Sequence, residues 1–327
     1  MKILLKALET LLTLALALFL FSCSEKKGVT PLSQPHWQPV NSGLTNAQVY
    51  ALAVNANGDV FAGTLGGGVF RSTDNGDTWI QINTGLTDND VLSLVINDSG
   101  HIFVGTTQKG GVFRSTDNGA SWTQTGLDSI KIYALAVEKQ KGAIFAGTAF
   151  SRGYVFRSTN NGDDWTQIDS GLTGAYLYAL AFNNLGYAFA GISSGVSGGG
   201  VFRSTDYGTN WVHVGLAGSY ISSFAINDNK DIFVGVGAGV FRSIDNGANW
   251  TQINTGLTGT GVRSLTVNSK GHIFAGTGDA GVFRSTDNGA NWTQINSGLT
   301  STNVMCLAAN ANGQVFAGTS GGIFRSK

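Results

Sequence analysis

One tripeptide constrains this 327-residue chain more than any other feature: Phe-Arg-Ser begins at Phe70, Phe113, Phe156, Phe202, Phe241, Phe283 and Phe324. Copies spaced by roughly forty residues define a repeat of the length used by propeller blades. The seven tryptophans, Trp37, Trp79, Trp122, Trp165, Trp211, Trp250 and Trp292, fall at one equivalent place in the unit, so none is spent elsewhere.

Each unit carries four short runs of strand character separated by turn residues. In the first unit these are Val49-Tyr-Ala-Leu-Ala-Val54, Asp59-Val-Phe-Ala-Gly63, Gly68-Val-Phe-Arg-Ser72 and Thr78-Trp-Ile-Gln-Ile82, with no helical period between them. The first run is apolar or small at every position, which predicts a strand buried on both faces. Its small residues would let innermost strands crowd around an axis, and its larger ones would fill the wedge between sheets. Radial repetition of four-stranded antiparallel sheets meets both demands, so the expected fold is an all-β, seven-bladed β-propeller.

The ends of the repeat are complementary. The tryptophan run Trp37 to Asn41 has no three strands before it, and the last unit stops after three strands at Lys327. The N-terminal run is therefore expected to pair beside Gly322 to Ser326 as the outer strand of blade seven, which removes the open edges of a linear stack. A linear solenoid would need capping repeats and gives no reason for two half-units. The predicted organisation is residues 37–42 as the outer strand of blade seven, blades one to six over about 47–297, and residues 303–327 as the other three strands of blade seven.

Between the third and fourth runs lies Ser72-Thr-Asp74-Asn-Gly76-Asp-Thr-Trp79. It recurs with Asp117 and Trp122, Asn160 and Trp165, Asp206 and Trp211, Asp245 and Trp250, and Asp287 and Trp292. This Ser-x-Asp-x-Gly-x-x-Trp pattern resembles the Asp-box, or bacterial neuraminidase repeat. The chemistry suits a turn: the carboxylate accepts backbone N–H groups, Gly supplies positive φ, and Trp packs back between sheets. Asn160 departs from the pattern but still caps a turn. A calcium loop would need a later bidentate Glu that these turns lack. Neither a metal nor a cofactor is expected. The turns and the repeated arginines read as structural, because one active site does not use six or seven equivalent copies.

Ahead of the repeats, Lys2 and Lys6 precede an apolar run from Leu11 to Phe21, too short to span a bilayer comfortably. Leu20-Phe21-Ser22-Cys23 resembles the lipobox of bacterial lipoproteins, with Phe21 in a place usually held by a small residue. The reading is a lipoprotein signal over residues 1–22, then a lipidated Cys23 and a polar tether to residue 36; the alternative is an ordinary cleaved signal. Several chains on one residue would hold the protein on a membrane. Removing residues 1–22 takes Lys2, Lys6 and Glu9 from 20 basic and 20 acidic residues, leaving 18 and 19. That balance gives no reason to expect a nucleic-acid partner. A monomer is expected. Cys306 is the only other cysteine, so stability must come from the core.

The resemblance covers residues 37 to 327 and implies fold better than function, because Asp-box propellers include sialidases, xyloglucan-cleaving glycosidases, sortilin-type receptors and photosystem II assembly factors. A sialidase needs three convergent arginines, a Tyr and Glu pair and a further acid. After Cys23 this chain has only Glu25 and Glu138, and its non-repeated arginines are Arg152 and Arg263. A glycosidase with paired carboxylates would draw on Asp88, Asp90, Asp128 and Asp279 in loops of the face opposite the Asp-type turns. The alternative for all four is a solvated turn residue.

Departures from the repeat collect on that same upper face. Loops after the second strand carry Lys109, then Phe150, Arg152 and Tyr154, then the longer Ser193 to Gly200; loops entering the first strand add Lys131, Tyr176 and Tyr220. Arg263 takes a position held elsewhere by Tyr50, Leu92, Tyr133, Tyr178, Ser222 and Met305. Such aromatic and cationic surfaces are enriched at recognition sites, although loops also drift freely. The expected function is a non-enzymatic envelope lipoprotein that binds an envelope protein or a glycan through this face. The alternatives are a glycoside hydrolase and a lectin with equivalent sites between blades.

Overall fold

The computed structural model describes residues 36–327 apart from 108–109, 149–152, 194–197 and 260. They form seven four-stranded antiparallel sheets, each running from an innermost strand outward. In the first blade the order is Val49–Val54, Val60–Thr64, Gly68–Ser72 and Ile80–Gln81. The seventh takes three strands from the C-terminal end, Val304–Ala309, Val315–Thr319 and Gly322–Ser326, and its outer strand, Trp37–Pro39, from the other. Trp37 pairs with Ser326, Gln38 with Arg325 and Pro39 with Phe324. Asn41 extends the closure, its Oδ1 accepting the Ile323 N–H at 2.7 Å.

The hydrophobic cores lie between blades. One cluster joins Val49, Val60, Phe70 and Trp79 of blade one to Cys306, Phe316 and Ile323 of blade seven. Two residue types set how closely the sheets approach. The glycine ending Phe-Ala-Gly or Phe-Val-Gly has ordinary backbone angles, yet a Cβ on Gly63 would stand 2.5 Å from Val91 Cγ1 of the next blade. Gly276 meets Val304 in the same way, and Gly318 meets Val49 across the closure. The tryptophans then tie neighbours together. Trp79 Nε1 donates to Val40 O at 2.8 Å, Trp122 to Ile82 O at 2.6 Å and Trp211 to Ile168 O at 2.7 Å, each on the outer strand region of the preceding blade. Trp37, fully buried, makes the same bond to Ile295 O, so the chain ends are joined by the device used at every other blade boundary.

Two expectations are corrected. The innermost strand is not the one buried on both faces: Tyr50, Ala53 and Val54 keep partial exposure, whereas every residue of Val60–Thr64 is buried. The innermost strand has a sheet neighbour on one side only and faces the axis on the other. Strand two is shifted one residue later than predicted, and strand four is shorter. Asp59 stays in a turn because its N–H is held by Asn55 Oδ1 at 2.8 Å. Trp79 donates its N–H to Ser42 O of the preceding blade instead of to its own sheet.

The lower face carries the turns between strands one and two and between strands three and four. In the latter, Ser72 Oγ donates to Asp74 Oδ1 at 2.7 Å, the Gly76 N–H donates to Ser72 Oγ, and the Thr78 N–H donates to Asp74 Oδ1 at 2.8 Å. Asn75 and Gly76 sit at φ 60° and 94°, conformations that favour Asn and Gly. The Thr78 hydroxyl and N–H, with Ser72, hold Asp74 down to about pKa 2. Asn160 keeps this geometry because Asp164 replaces the hydroxyl or amide found at that position elsewhere and accepts from Asn160 Nδ2 at 2.8 Å.

Candidate functional site

Each innermost strand breaks register once, at one place. Val49 faces Thr64 and Ala51 faces Gly63, leaving Tyr50 as an extra residue between two pairs. The same bulge leaves out Leu92, Tyr133, Tyr178, Ser222, Arg263 and Met305 in the other six blades. A bulge re-aims the side chain it adds. Here all seven line one cavity of about 490 Å³, joined by Tyr220 and by Gly237, Gly261 and Val262. The fold therefore builds a ring of seven positions with one backbone geometry and mostly different side chains.

One side of the ring is aromatic. Tyr133 and Tyr178 meet edge to face with centroids 5.3 Å apart, Tyr178 and Tyr220 lie 4.9 Å apart, and Tyr176 stacks on Tyr178 at 6.0 Å with planes 22° apart. Tyr178 is central to this group. Burial, then the neighbouring Tyr220 and Tyr133, push its hydroxyl up to about 12, so it is a protonated donor across the neutral range. Burial raises Tyr220 too, against the pull of its hydrogen bond with Tyr178 and of the Arg263 charge. Arg263 Nη1 donates to Asn303 Oδ1 at 2.9 Å and touches Met305 Sδ. It makes no ion pair among the described residues.

Of the residues expected at an upper-face patch, Tyr220 and Arg263 line the cavity, and Tyr176 stacks on the wall residue Tyr178 without lining it. Lys131 is exposed and Tyr154 packs near Phe156, and neither is on the cavity wall. Lys109, Phe150 and Arg152 lie outside the described residues, as does Cys23. Tyr133 and Tyr178 were absent from the predicted patch, although they share a repeat position with Arg263. What sequence alone could not supply is that this position is a bulge pointing at the axis.

The four aspartates are not brought onto the cavity wall. Asp88 is not a solvated residue: it is 5% exposed, and its carboxylate accepts the N–H groups of Asp90, at 3.0 Å, and of Gly110. Asp90 accepts from Thr107 Oγ1, while Asp128 and Asp279 are exposed on the loops of blades two and six. Glu138 is 1% exposed on the lower face, where it accepts the Tyr207 hydroxyl of the next blade and the N–H groups of Gln140 and Lys141. Other blades fill these two places with asparagines, as in Asn97 Nδ2 to Asn161 Oδ1 at 3.0 Å. The acid is a structural substitution. Cys306 is buried, and burial raises its thiol pKa. Among the described residues, no three His, Cys, Asp or Glu side chains are grouped as metal ligands.

Comparison with known proteins agrees with this architecture. No curated protein matches by sequence. The extracellular domain of a hybrid two-component system from B. thetaiotaomicron is 16% identical, with a TM-score of 0.75, over 90% of this chain and 40% of its own. The chain thus spans well under half the length of that protein. The GH74 xyloglucanase from Xanthomonas campestris is 18% identical, with a TM-score of 0.68, over 89% of this chain and 53% of its own. YCF48 bound to D1 peptide is 17% identical, with a TM-score of 0.69, over 89% of this chain and 96% of its own. At these identities the likeness concerns the fold alone. Residues 18–211, more than half of the sequence, match the family described as the DUF6242 β-propeller domain, and the chain belongs to that family.

Proposed function

We propose that this protein is a non-enzymatic binding module of a bacterial cell envelope, held at a membrane through a lipid on Cys23, whose upper face recognises a glycan or a protein. The observation that carries the reading is the bulge ring. Seven equivalent positions open into one cavity, yet they hold three tyrosines, an arginine, a leucine, a serine and a methionine. A ring needed only for closure would have no use for such asymmetry. Aromatic and arginine side chains around a concavity are what recognition surfaces favour. The fold neighbours give weaker support: one is an extracellular domain, and another is bound to a peptide.

A glycoside hydrolase is the second reading, prompted by the GH74 neighbour. It needs two carboxyl groups flanking one bond, and the aspartates nominated for that role are absent from the cavity wall. The deciding experiment screens the purified chain against glycan and envelope-peptide arrays beside its Tyr178→Ala variant. Binding by the parent, lost in a variant of unchanged melting temperature, is expected. Turnover of any glycan, abolished by alanine at Asp88, Asp90, Asp128 and Asp279, would replace the binding module with an enzyme. The anchor is tested separately: Cys23→Ala should release the protein from the membrane fraction.

A further inference from the structure

We propose that the tyrosine-walled mouth of the axial cavity takes the terminal hexuronate of an acidic glycan, its ring face against the tyrosines and its carboxylate on Arg263. This deepens the binding-module reading and rests on it.

The cavity wall and Tyr176, which stacks on the wall residue Tyr178 beside it, supply the recognition elements that such a residue requires. Tyr176 and Tyr220 are 41% and 47% exposed, unusual for large rings, while both pack on Tyr178. They offer stacking faces held in place from behind. A pyranose presents polarised C–H groups on one face, which suit the negative face of an aromatic ring. Tyrosine hydroxyls are both donors and acceptors, so the wall formed by Tyr133, Tyr178 and Tyr220 can donate to and accept from sugar hydroxyls. A cavity of about 490 Å³ is within the size range of small-ligand sites.

Arg263 decides the charge of the ligand. It is the only cationic side chain among the described residues of the cavity wall. Asn303 and Met305 hold one nitrogen of its guanidinium, and the other two make no hydrogen bond among the described residues. A guanidinium is weakly hydrated and matches a carboxylate with paired donors. A cationic ligand would meet this charge with no carboxylate on the wall to offset it. A polyanion would need many cations, and the described residues of the wall supply one. A neutral glycan would use the tyrosines but leave Arg263 unpaired.

The test is calorimetric titration of the full chain with a glucuronate-terminated disaccharide, its carboxyl-reduced neutral counterpart and 4-hydroxybenzoate. One uronate site per chain is expected, with the neutral disaccharide binding about tenfold or more weakly, as the loss of a charge-assisted hydrogen bond implies. Arg263→Met should remove that preference, Arg263→Lys should keep part of it, and Tyr220→Ala should weaken both sugars alike; melting temperatures check that each variant folds. The inference is overturned by equal affinity for the two disaccharides, by an unaffected Arg263→Met, by 4-hydroxybenzoate matching the uronate, or by no uronate binding at millimolar concentration. Array ligands lost in Tyr178→Ala together with no uronate binding would retire the hexuronate and leave the binding module standing. Silence on both would remove both.

Discussion

The two faces of the propeller handle repetition in opposite ways. On the lower face, different blades converge on one set of bonds. Arg71, Arg114, Arg157, Arg203 and Arg325 each donate Nη1 to the backbone carbonyl of the third–fourth turn in the following blade, at Asn118, Asn161, Tyr207, Asn246 and Asn75. Where a residue changes, its partner changes with it, as Glu138 does with Tyr207 and Asn160 with Asp164. The two remaining arginines differ: Arg242 pairs with Asp231 of its own blade at 2.7 Å. Arg284 would reach for such a turn in blade seven, but that blade takes its outer strand from the other end of the chain, and Arg284 is left desolvated with its pKa lowered. On the upper face the backbone bulge repeats while the side chains do not. Compensated change maintains a scaffold; uncompensated change on a constant backbone marks the place proposed above for a ligand.

The contrast breaks most visibly at the closure. Trp37→Ala should cost about 3–5 kcal/mol, as truncation of a buried tryptophan does, and chemical denaturation should show the midpoint falling accordingly. A loss under 1 kcal/mol would mean that the N-terminal strand does not lock the ring. Gly63→Ala, forced against Val91, should cost about 1–3 kcal/mol by overpacking. Gly58→Ala is a poor control because φ there is 87°, so the comparison is best made with Ser99→Ala on an exposed turn.

The compensated pair offers a sharper test. Tyr207→Asn and Glu138→Asn should each cost about 1–3 kcal/mol by leaving a buried polar group unmatched. Together they restore the Asn–Asn arrangement of other blades, so the double variant should be destabilised by less than the sum, with a coupling above about 0.5 kcal/mol. Strict additivity would break the claim that the two changed as a unit.

Acid should touch the lower face before the upper. Asp74, Asp117 and Asp245 have folded-state pKa values of about 2, below the usual carboxylate value. Their contribution is therefore complete above about pH 5 and is lost as pH falls through 4 toward 2. Because these groups are exposed, the loss per turn is small and salt-sensitive. Melting temperature against pH should be flat from 5 to 8 on this account and should decline below 4. The smallest expected effect is on the upper face. Arg263→Met should change stability by no more than about 0.5 kcal/mol, while changing what binds.

Much of the scaffold is legible in the residues. Seven Phe-Arg-Ser copies and two complementary half-units predict the blade number and the pairing of Trp37 to Asn41 beside Gly322 to Ser326, because a strand short of one neighbour must find it elsewhere. Strand ends are less legible. Nothing in Trp79 itself says that its N–H serves the adjacent blade through Ser42 O. The candidate site was half visible: the shared position of Arg263 and the tyrosines can be read from an alignment of the units, but Tyr178 looks there like any other member of the column.

The sequence by itself determined the count of blades, the closure and the turns, because these depend on repeated local chemistry: a glycine that must lack a Cβ and a tryptophan at a fixed offset in all seven units, and a carboxylate two residues from a serine in five. Only the tertiary structure decided that one column of seven residues turns inward at a bulge and that Tyr220, from the loop entering blade five, leans on Tyr178 of blade four. That contact joins residues 42 positions apart across separate blades. The register shift that aims them arises from pairing between strands, which no single strand encodes.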